Sequence, residues 1–340
     1  MVTIKDIAKR AGVSFSTVSK ALLGNPNIKA VTKERIWEIA REMGYQPNIA
    51  ARSLVSRKSG AIGIIWPTVE RGALSSLITK LNDELERRGY TTLLSISRTD
   101  SAIESFNRYR MDAVLLFGDH SGNRDELSGI GSMQSPLLVY GAAGSHPFST
   151  VDVNRGQAIR LAVRHLAELG HSRIAYLGRP DGDDPMQTVK IEAFLDEARK
   201  LGLCVSDESI LRMEGLETHD GYIAAEAMFG WPSPPTAVIS GGVDLTRGIY
   251  RAARERGLRV PEDLSVVSYD NIPLMEDLDV STTAVGVSVH TIASVIAEAL
   301  HKLIEMSDEQ LTIALEPEIV VRSSSTRLQS PPSDTELSLR

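Results

Sequence analysis

TIKDIAKRAGVSFSTVSKALLG, residues 3–24, spells two short helices and the turn between them. Thr3 and Asp6 stand at capping-box spacing, with Asp in place of the more usual Glu or Gln. Ile4, Ile7, Ala8 and Ala11 then recur at helical spacing. Gly12 can take the left-handed conformation that closes a helix. Ser14 can cap a second helix whose inward residues are Val18, Ala21 and Leu22, and Gly24-Asn25-Pro26 ends it. A third helix fits 32–43, burying Ile36, Ile39 and Ala40, with Gly44 as the stop. Two short helices joined by a tight turn and covered by a third describe a helix-turn-helix unit. The alternative is a small helical cap without a ligand.

Charge separates these readings. Residues 1–58 hold eleven Lys and Arg against four Asp and Glu, whereas the rest of the chain holds 26 against 40, for a net charge of −7. A basic head on an acidic body points to a polyanion as the partner of the head alone. The row Ser14, Ser16, Thr17 and Lys20 on the outer face of the second helix offers short donors and one cation, which suit base edges and phosphates.

At 340 residues the chain can bury two or three cores, and 42% hydrophobic with 24% charged residues is an ordinary globular composition. No apolar run approaches the ~18 residues needed to span a bilayer, and the N-terminus has no signal-peptide pattern. Cys204, the lone cysteine, leaves no intramolecular disulfide and fits a reducing cytoplasm; it is expected in or near a core. A cytoplasmic protein without a membrane partner is the expectation.

From Ala61 onward, apolar strands alternate with helices: AIGIIW, TTLLSIS, DAVLLFG, PLLVYG, STVDV, RIAYLG, TAVISG and LSVVSYD, with helices near 74–88, 101–109, 154–169, 186–201, 244–256 and 289–305. Continuous β-branched runs between helices indicate parallel sheets covered on both faces. The units are too many for one comfortable sheet, so two doubly wound lobes are expected, with a ligand cleft at the carboxyl ends of their strands.

IKDIAKRAGVSFSTVSKAL followed by VTKERIWEIAREMGYQPNIAARSL resembles the head of the LacI/GalR family of bacterial transcription regulators, in order and spacing. HLAELGHSRIAYLG, GLRVPEDLSVVSYDNIP and EPEIVVRSSS are similar to landmarks of that family's core, which itself resembles periplasmic sugar-binding proteins. The resemblance implies a helix-turn-helix head (1–46), a hinge helix and linker (47–59), and a two-lobed core for effector binding and dimerisation (60–328). A tail over 329–340, rich in Ser, Pro and Asp, is expected to be disordered. It further implies a homodimeric repressor on a pseudo-palindromic, double-stranded operator, modulated by a small polar effector of carbohydrate type. Phe15, Ser16 and Lys20 match positions that read bases in the major groove. Thr3, Ser14, Thr17, Asn27, Thr32, Tyr45 and Asn48 match positions that grip the phosphate backbone. In the hinge helix, too short to be stable alone, Leu54 matches a wedge in the minor groove and Ala51 a neighbouring groove-facing place.

In the cleft, Asp152 and Asp270 match acids that hydrogen-bond sugar hydroxyls, and a carboxylate can accept from two hydroxyls at once. Lys190 replaces an Arg of many relatives, keeping the charge and losing the planar fork; it tilts the effector slightly towards an anion such as a sugar phosphate. The family's usual Asn-Asp pair reads Gly242-Val243, a usual Gln reads Gly286, and a usual aromatic pair reads Ala73-Leu74. These changes predict a roomier, less selective pocket.

No dinucleotide fingerprint, P-loop or nucleophile elbow occurs, and seven His with one Cys offer no metal-ligand spacing. No cofactor, metal or catalytic constellation is expected. His171 reads as a structural residue at a helix end. A transport-type binding protein would need a signal peptide and no basic head; a sugar-converting enzyme would need an acid–base pair.

Overall fold

The computed structural model describes residues 2–22, 24–45, 58–118, 130–142, 147–180, 184–306 and 310–328. Asn48, Ala51, Leu54, the hinge helix and the 329–340 tail lie outside the described residues. The chain divides into two compact units, Met1–Ser59 and Gly60–Arg340.

The first unit contains α1 (Ile4–Ala11), α2 (Phe15–Leu22) and α3 (Ala30–Glu42). Local chemistry sets each end. The Thr3 N–H and hydroxyl both donate to Asp6, at 2.9 and 2.7 Å, which ties the first turn of α1 to its cap. Those bonds hold the Asp6 carboxyl below its ordinary pKa. Gly12 closes α1 at φ 68°, where a side chain would be strained. The Thr17 N–H donates to Ser14 Oγ at 3.1 Å, capping α2. Ile7, Ala8, Ala11, Val18, Ala21, Ile36 and Ala40 form the small core; Leu22 and Ile39 are half-buried at its rim.

The second unit is two sheets of six strands with the same order. One lobe holds β1 (Ala61–Ile65), β2 (Thr91–Ser95), β3 (Ala113–Phe117), β4 (Leu137–Tyr140) and β5 (Ser149–Val153), with helices α4 (Gly72–Arg87) and α5 (Thr99–Tyr109). Then come α6 (Arg155–Glu168), β6 (Ile174–Pro180), α7 (Pro185–Lys200), β7 (Ile210–Met213), α8 (Thr218–Phe229), β8 (Ala237–Ser240), α9 (Val243–Glu255) and β9 (Ser265–Asn271). The chain continues through β10 (Thr283–Ser288), α10 (Val289–Glu305), β11 (Thr312–Leu315) and β12 (Glu318–Val320). Orders β2-β1-β3-β4-β5-β11 and β7-β6-β8-β9-β10-β12 are parallel throughout except for β10 with β12.

Three connections cross between lobes. After β5, α6 packs on β9, β10 and β12; after β10, α10 returns to pack on α4, β3, β4 and β5; β11 and β12 then close one sheet each. In each lobe the order reverses beside the first strand, at β1/β3 and at β6/β8. That switch point leaves a crevice at the strands' carboxyl ends.

β7, α8, β10, β11 and β12 are additions to the strands and helices read from the sequence. One further reading is corrected. Cys204 is exposed, not in a core, because it follows the turn that ends α7. His171 is buried and structural as expected: its ring nitrogens meet Thr236 Oγ1 at 2.9 Å and the Thr326 carbonyl at 3.0 Å. Among the described residues, no helix is long and apolar enough to cross a membrane.

Candidate functional site

Two surfaces carry polar chemistry, one in each unit. In the head, the side of α2 away from the core presents Phe15, Ser16 and Lys20 to solvent, with Phe15 53% exposed. An apolar ring is thus left outside the small head core, beside a hydroxyl and a cation. Ser14 and Thr17 share a 2.8 Å hydroxyl contact at the start of α2. Thr3 and Asn27 are exposed; Thr32 and Tyr45 are half-buried, and Tyr45 packs against the head core. Burial there raises its hydroxyl pKa.

In the core, a cavity of about 100 Å³ lies in the crevice between the lobes. Its walls come from the carboxyl ends of strands in both sheets. Phe117 ends β3, Tyr140 ends β4, and Tyr269 and Asp270 sit near the end of β9. Trp66, Phe117 and Tyr140 form a chain of rings with centroids 4.9 and 5.8 Å apart. The stacking surface missing at Ala73-Leu74 is therefore supplied by strand ends.

Lys190 and Asp270 come together here as expected. Lys190, on α7, is 4% exposed; its ammonium donates to the Gly241 carbonyl at 3.1 Å and lies 3.7 Å above the Tyr269 ring. Burial lowers its pKa to about 7, against the opposing pull of Asp270. Asp270 has φ 86°, a left-handed backbone uncommon outside Gly, Asn and Asp. Its Oδ2 accepts from the Val243 N–H at 3.2 Å, at the start of α9. Burial raises its carboxyl pKa, and Lys190 only partly offsets this. Gly242 makes the approach possible, since a Cβ there would stand 3.2 Å from Asp270 Oδ2. The Gly-Val pair thus replaces side-chain donors with a backbone one.

Asp152 is placed differently. It lines an adjoining groove with Arg160, Glu192 and Asp196, and its carboxylate is bonded to Arg155 Nη1. Arg155, only 8% exposed, faces the cleft in its place. Burial opposes its charge, but Tyr269 and Asp152 outweigh burial and raise its pKa. Arg155, Arg71, Tyr140 and Tyr269 are cleft residues that the sequence reading did not single out.

The lobes also touch directly. The Gly72 N–H donates to Asp244 Oδ2 at 3.1 Å, and Val243, Ile272 and Met275 of one lobe share a core cluster with Leu74 and Leu77 of the other. Among the described residues, no group of three or more His, Cys, Asp or Glu could hold a metal ion.

A helix-turn-helix head followed by a two-lobed, cleft-bearing core defines a DNA-binding regulator with an effector-binding domain. The comparisons agree. Residues 3–48 match the model of bacterial regulatory proteins of the lacI family, and residues 163–325 match a periplasmic binding protein-like domain. Catabolite control protein A of Priestia megaterium is 29% identical over 335 residues, covering 96% of this chain and 99% of that protein. The probable HTH-type transcriptional repressor ExuR of Bacillus subtilis (strain 168) is 29% identical over 334 residues, with the same coverage, 96% and 99%. The lac repressor dimer bound to operator and the anti-inducer ONPF has a TM-score of 0.84 at 22% identity, over 96% of this chain and 99% of that one. The head thus matches the lacI family of bacterial regulatory proteins, and over nearly its whole length the chain is similar to transcription regulators, which are not enzymes.

Proposed function

We propose that this regulator is a repressor that binds a pseudo-palindromic operator as a homodimer and responds to a small polar effector, a sugar or sugar derivative, in the cleft. It would act in the cytoplasm, where its DNA is. The observation that carries the DNA role is the outer face of α2: Phe15, Ser16 and Lys20 stand free on a head with eleven basic and four acidic residues over 1–58. These three are assigned to base edges. Thr3, Ser14, Thr17, Asn27, Thr32, Tyr45 and Asn48 are assigned to phosphates, and Ala51 and Leu54 to the minor groove. One head covers few base pairs, and two-fold symmetry doubles the interface. The effector role rests on the enclosed pair Lys190 and Asp270 among aromatic rings, with Asp152 acting through Arg155.

Gel-shift titration on genomic fragments and random DNA tests the reading. Lys20→Ala should cost roughly 1–3 kcal/mol on the specific site and alter base preference. Leu54→Ala should weaken specific binding while sparing nonspecific binding, because a wedge acts only against a bendable step. Equal losses on both DNAs for both variants would contradict these roles. A monomer at micromolar concentration that still binds operator tightly would remove the dimer.

A further inference from the structure

The connection between β1 and α4 holds two polar groups that have no hydrogen-bond partner among the described residues. Among the described residues, the buried side-chain nitrogens and oxygens without a hydrogen-bond partner are Trp66 Nε1, Arg71 Nε and Glu197 Oε2. Glu197 is accounted for on the far side of its lobe, with Arg164 at 2.5 Å and Lys200 at 3.9 Å. The other two are donors only, five residues apart, and a buried donor left unpaired is costly. Arg71 lines the cleft. Trp66 packs edge-on against Phe117, which also lines it.

The charges of the cleft point the same way. Arg155 is matched by Asp152. Asp184 is spent on the start of α7, accepting from the Met186 and Gln187 N–H groups at 2.9 and 3.2 Å. Asp244 accepts from Gly72, and Asp270 accepts from Val243 while facing Lys190. Among the described residues Arg71 makes no ion pair, yet it is near enough to act electrostatically on both Lys190 and Asp270. Among the described residues, the Arg71 guanidinium therefore has no carboxylate within ion-pair distance.

We propose that the effector is a small organic anion, bearing a carboxylate or a phosphate ester, and that Arg71 with Lys190 receives its charged group. Asp270 then accepts from the effector's hydroxyls, and its ring or carbon body lies against Phe117, Tyr140 and Tyr269. A guanidinium offers the planar pair of donors that both anionic groups use. The proposal rests on the cleft being an effector site.

Calorimetry on the full-length protein uses matched probes: glucose, glucuronate, glucose 6-phosphate and inorganic phosphate. One of the two sugar anions should bind at least about tenfold more tightly than glucose, as expected for a charged hydrogen bond; which one does identifies the group. Arg71→Gln should bring that anion down to the level of glucose and leave glucose unchanged, while Arg71→Lys should recover part of the preference. Melting temperatures measured alongside confirm that each variant is folded. Glucose binding as tightly as both anions would overturn the charge assignment and leave the effector reading standing, as would an equal loss for glucose and the anion in Arg71→Gln. Inorganic phosphate binding as tightly as either sugar anion would overturn an organic effector. Binding by none of the four would overturn both readings.

Discussion

At the scale of single residues, Lys190 has the most to lose from the structure around it. Its ammonium is enclosed against the Gly241 carbonyl and the Tyr269 ring, with Asp270, Arg155, Arg71 and Asp184 near enough to act on it. Its pKa falls to about 7 in the folded chain, against roughly 10.4 unfolded. Between those values the unfolded chain binds more protons at this site, so stability rises with pH across the window and is lowest below it. Wild type should therefore gain stability relative to Lys190→Met from pH 7 to pH 9, by at most roughly 1.4 kcal/mol per pH unit. Urea midpoints at the two pH values measure it, and the comparison cancels the effects of the rest of the chain. A difference that stays constant with pH would mean that Lys190 keeps its proton.

At the scale of elements, α8 and α9 lie closer than side chains ordinarily permit. A Cβ on Gly221 would stand 2.5 Å from the Leu245 carbonyl oxygen, and one on Gly248 would meet Thr218 O and Tyr222 N. These neighbours are backbone atoms, so accommodation requires the helices to move apart. Gly221→Ala should destabilise the core by about 1–3 kcal/mol, the usual range for overpacking. Denaturant unfolding checks it, and an unchanged midpoint would show that the helices yield freely. This contact also explains why α8 escaped the sequence reading. THDGYIAAEAMF is apolar or small on most sides and has Gly near its start, so no single stripe marks it. The Glu217–Asp220 capping interaction, with the Glu217 N–H donating to Asp220 at 2.8 Å, was the available signal. β10 was hidden similarly: Gly286, at φ 143°, interrupts TAVGVS.

At the scale of the whole core, three connections cross between the lobes, and α6 and α10 each pack on the lobe opposite the strand they follow. The Gly72–Asp244 bond spans the crevice, so opening the crevice would break it. Removing it takes away a hydrogen bond to a charged group, worth roughly 1.5–3 kcal/mol. Asp244→Ala should shift the unliganded core towards an open form and weaken effector binding by roughly three- to tenfold, because binding must then supply the closure. Small-angle scattering and calorimetry read the two effects. Unchanged scattering together with unchanged affinity would mean that the apolar contacts of Val243, Ile272 and Met275 suffice for closure.

Local chemistry explains what the sequence by itself determined. Thr3 with Asp6, Gly12, Ser14 and Gly44 mark the ends of the head's helices, since caps depend on neighbours a few residues away. The β-branched runs AIGII, AVLLF and SVVSYD likewise name buried parallel strands wherever they fall. Lys190 and Asp270 were legible through a family resemblance and do share the cleft. Burial and partnership were not legible, because they are set by residues distant in the chain. Asp152 binds Arg155, and Arg155 faces the cleft only because α6 crosses to the other lobe. Tyr140 and Tyr269 converge from different sheets, and Cys204 faces solvent past the end of α7. Among the described residues Arg71 makes no ion pair, because the nearby carboxylates Asp184, Asp244 and Asp270 are each held by backbone N–H groups. Tertiary structure alone decided which charges remain unmatched, because electrostatic pairing depends on distance in space and on the water that folding removes.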